Sequence, residues 1–285
     1  MHYPLFLIGV ACLCFKRSRS LFYLSAVLGI CLILVGLDSF FLEPHWIEVT
    51  HISIPSNKLQ RPIRIAVVAD LQTDNLQRYE EHVFELVAAE RPDLILLAGD
   101  YLQIWNRTEY LTAKAKLNAL MRRAHLEAPL GIYAVRGNVD WDDWPQLFAG
   151  LPVETFGTTS SRDLGPVILT GLTLEDSSNP ALSVSAQAKF HIVIGHSPDY
   201  SLGPVEADLL VAGHTHGGQV RIPLFGPVFT LSQVPKSWTS GMTMIAPEKR
   251  LVVARGIGME RGNAPRLRFL CRPELLILDL VPSKL

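Results

Sequence analysis

Five apolar runs in this chain end on residues of the types that can ligate metals. Ile65–Ala69 leads into Asp70, Leu94–Gly99 into Asp100, Gly131–Val135 through Arg136 and Gly137 into Asn138, and His191–Gly195 into His196. The fifth, Asp208–Ala212, passes Gly213 into His214-Thr215-His216 and then the pair Gly217-Gly218, where the backbone can turn sharply. Runs of this length bounded by glycine and polar residues read as buried strands. In α/β sheets the C-terminal strand edge is where ligands bind, so one edge would receive Asp, Asp, Asn, His and His-x-His. Carboxylate, amide and imidazole donors without thiolates suit Mn, Fe or Zn in a hydrolytic centre. Any one of these residues alone has a bland reading: His196 as a capping histidine, Asp100 as a helix N-cap. The ordered set of five does not.

That set resembles the calcineurin-like metallophosphoesterase family, whose pattern is Asp-x-His, Gly-Asp, Gly-Asn-His-Asp/Glu, a lone His, then Gly-His-x-His. The resemblance runs from about Ile63 to the C-terminus. Two further stretches, Gly217-Gly218-Gln219-Val220-Arg221 and Arg255-Gly256-Ile257-Gly258, resemble its membrane-anchored YkuE/YaeI-like branch. The resemblance implies an α/β, four-layer sandwich of two mixed β-sheets flanked by helices. It implies two divalent cations, one held by Asp70, residue 72, Asp100 and His216, the other by Asp100, Asn138, His196 and His214. Asp100 would bridge cations about 3.5–4 Å apart, which polarise phosphoryl oxygens and acidify water; Asp100, Asn138 and His214 would act closest to the reacting phosphate.

Two positions depart from the family pattern. Gln72 stands where the family has histidine; its amide oxygen either ligates more weakly or leaves that metal short of a ligand. Val139 replaces the histidine that helps the leaving group depart. General acid catalysis contributes ~10²–10⁴-fold, so its loss favours leaving groups that need little help, such as the phosphate side of a pyrophosphate. Asp140 is then expected to cap the Trp141–Trp144 turn. Arg136 and Arg221 are either phosphate clamps or surface arginines, and Trp141 and Trp144 either stack a ligand or pack the core.

The elements that must position these residues follow from patterning. The expected strands are Trp46–Ile54, Ile63–Ala69, Leu94–Ala98, Ile132–Val135, Val167–Leu174, Phe190–Ile194, Leu209–Ala212, Leu251–Ala254 and Leu275–Leu280. Helices are expected at Arg78–Glu90 and Thr108–His125, with a polar loop at Glu175–Gln187. Alternating strands and helices followed by a strand-rich half indicate parallel pairing and a second, mixed sheet. The stretch Pro223–Ala246 is apolar, with Lys236 its main charge. It walls a pocket, touches a bilayer, or simply packs between strands.

Charged residues make up 19% of the chain and the net charge is −1, so no nucleic-acid partner is expected. Leu21–Leu37 carries no charge, and the apolar character continues past Asp38 to Leu42, long enough for a transmembrane helix. A shorter run, Tyr3–Phe15, is a second span or a surface segment. Residues 1–42 are thus read as an anchor, 43–62 as a linker with a first strand, and 63–285 as the catalytic domain. Lys16, Arg17 and Arg19 precede the span, whereas Glu43–Asn57 has two acids and no Lys or Arg, placing the domain outside the cytoplasm by the positive-inside rule. Three of the four cysteines lie in the apolar segments, leaving Cys271 alone in the domain with no disulfide partner there.

The leading reading is a membrane-anchored, metal-dependent hydrolase of a phosphodiester or pyrophosphate, its substrate a phospholipid or other lipid-linked phosphate. The alternatives are a UDP-2,3-diacylglucosamine-type pyrophosphatase and a weakly catalytic binding protein.

Overall fold

The computed structural model describes residues 18–262 and 264–283. The Tyr3–Phe15 segment, Lys16, Arg17, Cys12 and Cys14 lie outside them.

Two six-stranded mixed sheets form the body. In the first, β1 (Glu48–Ser56) runs parallel to β14 (Glu274–Pro282), which pairs antiparallel with β2 (Ile63–Val68). Parallel β3 (Leu94–Leu97), β4 (Ile132–Ala134) and β5 (Val153–Thr155) follow. The second sheet is built on parallel β7 (Val167–Gly171), β8 (Phe190–Ile194), β9 (Leu209–Ala212) and β13 (Lys249–Val253). Antiparallel edges β6 (Ser160–Asp163) and β12 (Gly241–Ala246) close it. A separate small hairpin pairs β10 (Arg221–Ile222) with β11 (Gly226–Pro227).

The expected strands are present within a few residues, and the second mixed sheet with them. Five strands were not expected: β5, β6 and the hairpin pair are too short for a periodic signal, and β12 is half-exposed. The Glu175–Gln187 loop carries a single helical turn, Leu174–Ser177.

Continuous apolar runs, rather than alternating ones, arise because the central strands are covered on both faces. Ile65 and Val67 of β2, Leu94 and Leu96 of β3, and Leu209 and Val211 of β9 fill the core between the sheets. Their alternate neighbours Ala66, Val68, Ile95 and Leu97 pack outward on helices α2 (Arg78–Ala89) and α3 (Arg107–Ala124). Gln77 and Glu80 form a reciprocal capping box at the start of α2, and Asn106 caps α3. On the far side of the second sheet Leu172, Tyr200 and Leu210 are covered by short helical turns and loops, so this fourth layer is thin.

Among the described residues one helix is long and apolar enough to cross a membrane. It begins with α1 (Arg19–Leu37) and continues through a π-helical turn, Asp38–Leu42, and a 3-10 turn, Glu43–His45. Its foot is fixed to the domain. Buried Glu43 accepts from the backbone N–H groups of Leu270 (2.9 Å) and Cys271, and Arg268 N donates to Ser39 O at 3.0 Å. Arg268 is itself fully buried and has no carboxylate partner among the described residues; its guanidinium donates to the carbonyls of Arg255, Gly256, Gly258 and Cys271. Buried carbonyls left without donors cost about 1–3 kcal/mol each. Arg268→Met should therefore lower stability by roughly 3 kcal/mol or more, read as a fall in thermal melting in detergent. Arg268→Lys should recover little of it, because an ammonium offers three donors where the guanidinium offers five.

Candidate metal centre

The parallel strands of both sheets end at one edge, and the residues that follow them turn inward. Asp70 and Gln72 follow β2, Asp100 follows β3, Asn138 follows β4, His196 follows β8, and His214 and His216 follow β9. Five of these seven, Asp70, Gln72, Asp100, His214 and His216, hold left-handed backbone with φ between 38° and 68°. Non-glycine residues adopt that region at a cost of about 1–3 kcal/mol each, and such strain clusters at functional sites. Glycines allow the loops to touch: a Cβ on Gly137 would overlap the Asp100 carboxylate, and one on Gly99 would fall 2.8 Å from His196 Nδ1.

Asp100, His196 and His214 present ligand atoms within 4.8 Å of one another. His196 Nε2 lies 3.4 Å from Asp100 Oδ2 and 2.9 Å from Asn138 Oδ1, and its Nδ1 is 3.9 Å from Asp70 Oδ1. Asp70 accepts the His214 N–H on both oxygens, at 2.9 and 3.0 Å, and Asp100 Oδ1 accepts Val139 N–H at 2.9 Å. The histidines are oriented by carbonyls, which can only accept: His196 Nδ1–H points at Ala98 O (2.8 Å) and His214 Nε2–H at Leu231 O (3.1 Å). The opposite ring nitrogen of each is thereby turned away from those carbonyls, the arrangement expected of histidines around a metal.

Buried polar atoms without partners test whether a cation fits. Gln72 Oε1 and His216 Nδ1 are two such atoms. Gln72 Nε2 donates to Gln103 Oε1 and to Glu260 Oε2, both at 3.1 Å. A carboxylate only accepts, so Glu260 fixes the amide with its oxygen turned away and unsatisfied. Gln103 Nε2 completes this network with a 2.7 Å bond to Glu260 Oε1. Leaving two such polar atoms orphaned is costly; a cation would satisfy the amide oxygen, and the imidazole nitrogen when it carries the lone pair. The donor set fits a metal.

The buried charges at the centre shift one another. Burial, reinforced by Asp100, pushes the Asp70 carboxyl up to about 7. Burial opposes charge on His196, but the Asp100 and Asp70 carboxylates overcome it and raise the imidazole to about 10. Burial also works against ionised Asp100, yet His196 and the Val139 N–H hold its pKa below the ordinary value. Burial, with the Arg268 charge beside it, lowers His216 to about 3, so its imidazole is neutral.

Asp140 corrects one expectation. It does not cap the Trp141 turn; its buried carboxylate accepts from Asp100 N (2.9 Å), Tyr101 N (2.8 Å) and Gly137 N (2.8 Å), bracing the β3 and β4 loops together. Three backbone donors outweigh the single turn it was expected to cap. Arg136 pairs with Asp142 at 2.7 Å, Arg221 holds Gly217 O and Ser240, Trp144 is buried against Tyr101 and Phe148, and Trp141 donates to Ile104 O.

Glu260, Gln103 and Arg268 were not foreseen. The Arg255–Gly258 stretch was a signal for the first: Ile257 N and Gly258 N bond to Ala69 O and Asp70 O, which brings the residues just beyond them to Gln72. A cavity of about 280 Å3 opens on the centre, lined by Asp100, Asn138, His214, His216 and Glu260 and walled by Val220, Val228, Phe229 and Leu231. The Pro223–Ala246 stretch thus does wall a pocket. A larger recess of about 810 Å3 near Pro44 and His45 holds Asp74 paired with Arg261 and Arg266, not a metal donor set.

Residues 63–218 match the calcineurin-like phosphoesterase family. The metallophosphoesterase YkuE of Bacillus subtilis is 30% identical over 84% of this chain and 87% of its own length. The phosphodiesterase YaeI of Escherichia coli is 27% identical, covering 85% of this chain and 91% of its own. The UDP-2,3-diacylglucosamine pyrophosphatase LpxG of Chlamydia muridarum is 22% identical, covering 83% and 90%. A matched segment that spans more than half the chain, and a relative this similar over most of both lengths, lead to one conclusion: the chain belongs to the calcineurin-like phosphoesterase family and is a metal-dependent phosphoester hydrolase.

Proposed function

We propose that this hydrolase is anchored in a membrane by α1 and cleaves a phosphodiester or pyrophosphate carried on a lipid. The observation that carries the reading is the cavity itself, where an apolar wall of Val228, Phe229 and Leu231 faces metal donors. Such a wall suits acyl chains better than a nucleic acid or a sugar phosphate. Asp70, Gln72, Asp100 and His216 would hold one cation, and Asp100, Asn138, His196 and His214 the other. When bound, the cations supply Lewis-acid polarisation of phosphoryl oxygens and a more acidic water. Asp100 positions both ligand sets, and Asn138 and His214 line the cavity where the phosphate sits.

At position 139 the buried valine offers no proton to a departing oxygen. Turnover should favour leaving groups that are already stable anions. A pyrophosphatase reading is the second choice, supported by Val139 and by the likeness to LpxG. The two differ in compartment, since the basic residues before α1 favour export of the domain. A nucleotide-linked lipid precursor is made in the cytoplasm; an exported domain meets finished phospholipids or envelope intermediates instead.

Full-length protein, assayed in parallel on an alkyl phosphomonoester, bis(p-nitrophenyl) phosphate, a phospholipid and a nucleotide-linked pyrophosphate, should turn over the activated diester and the lipid well ahead of the monoester. Asp100→Asn should lose metal at both positions and activity by about 10³-fold or more. Near-normal metal content in that variant would end the two-metal assignment.

The Gln72 network makes its own prediction. Glu260→Ala frees the amide to rotate and should weaken binding at that cation by roughly 10-fold, measured by metal titration. Gln72→Ala should weaken it further, and unchanged affinity in both would mean that Gln72 does not ligate.

Sidedness is decided by fusions after Leu285. Alkaline phosphatase should be active and green fluorescent protein dark; the reverse result moves the pyrophosphatase reading to first place.

A further inference from the structure

We propose that the β10–β11 hairpin is a second membrane contact, placing Leu224 and Phe225 in the same leaflet from which α1 emerges. The proposal rests on the reading of α1 as a span. The hairpin tip is Pro223-Leu224-Phe225, closed by Phe225 N–H to Ile222 O at 3.1 Å. Leu224 is fully exposed and Phe225 is 82% exposed. Leu224 also sits at φ 70°, a left-handed turn position where glycine or asparagine costs little and a branched side chain is strained. A leucine held there against its own backbone preference, touching no core, has no stabilising role within the chain.

The stem of the hairpin lies beside the foot of the anchor. Arg221 N–H donates to Phe269 O at 2.9 Å, and Phe269 N–H to Gln219 O at 3.0 Å. The residues flanking Phe269 bind the anchor side: Arg268 N–H to Ser39 O and Leu270 N–H to Glu43 Oε2. One three-residue segment therefore carries the hairpin and the end of the anchor together. Exposed Leu270 sits between the two, with exposed Phe41 and Leu42 on the anchor side. Beyond the hairpin the chain returns through exposed Phe229 and Leu231, which wall the cavity. The exposed apolar residues thus run from anchor to hairpin to cavity. Patches of this kind mark contact surfaces. The occupant is the bilayer rather than a second protein chain, because the patch is continuous with a helix whose own exposed leucines and valines require lipid. Docked this way, the cavity opens along the lipid surface and its substrate comes from the leaflet that holds the anchor.

The test uses the full chain in vesicles of phosphatidylethanolamine and phosphatidylglycerol that carry a diazirine on one acyl chain. After irradiation, mass spectrometry should find lipid adducts on the Ile222–Pro227 peptide as well as on the Arg19–Leu42 helix. Adducts confined to the helix would overturn the proposal. Protein–protein crosslinks between two hairpins, obtained with a photoreactive leucine in place of lipid adducts, would overturn it in favour of a second copy. A variant carrying Leu224→Asp and Phe225→Asp should remain in the membrane through α1 and keep its turnover of soluble bis(p-nitrophenyl) phosphate, while its hairpin adducts are lost. The adduct map is read without reference to turnover, so a wild-type chain inactive on every ester would sink the hydrolase reading and leave the docking result standing.

Discussion

Buried negative charge is the constraint on which the centre depends. Asp70, Asp100 and Asp140 are all withdrawn from solvent at one sheet edge, and His196 is the one imidazole paired closely with two of them. Carboxylates in such a place either take up protons or gather positive charge around them. The chain does some of each: burial raises the Asp70 carboxyl, the neighbouring carboxylates raise the His196 imidazole, and Asp140 accepts three backbone N–H groups. The unpartnered Gln72 Oε1 and His216 Nδ1 face the same problem from the other direction, as lone pairs without a donor. Divalent cations resolve both at once. A cluster of this composition would otherwise be a standing cost to the fold.

The scaffold accommodates that cost by making the ends of strands rigid. Strands covered on both faces cannot slip register without exposing one set of side chains or burying the wrong one, so the positions of Asp70, Asp100 and His214 are fixed to within the pleat. Strained left-handed residues at the strand ends are then tolerable, because the surrounding sheet over-determines them. Arg268 extends the same logic outward. A buried guanidinium that binds four carbonyls stiffens the loop running under Asp70, and its own backbone N–H reaches the foot of α1. The metal-donor edge and the foot of α1 are consequently one mechanical unit.

The two departures from the family pattern are handled differently. At position 72 the amide is supported by Gln103 and Glu260, which fix the direction of its oxygen. That support is what a neutral replacement ligand needs. At position 139 no comparable support for a proton donor is present among the described residues; the valine is buried and contributes its backbone N–H to Asp100 instead. On the proposed reading, the first departure would preserve a ligand and the second would remove a proton donor, narrowing the range of leaving groups rather than the ability to bind phosphate.

What the sequence by itself determined was local: strand runs, glycine turns, the order of the candidate metal donors and the uncharged apolar segment. Those features are written in neighbouring residues, because burial on two faces demands an unbroken apolar run and a tight turn demands glycine. The tertiary structure alone decided which distant residues serve them. Gln72 meets Glu260 across 188 positions, and Glu43 meets Leu270 across 227. Asp140 became a brace between loops because Asp100 and Tyr101 present N–H groups to it from another strand. Leu224 looked like any apolar loop residue until the fold left it without a neighbour. A hydrogen bond between side chains far apart leaves no periodicity and no spacing to read; it exists only once two sheets have packed and set their loops face to face.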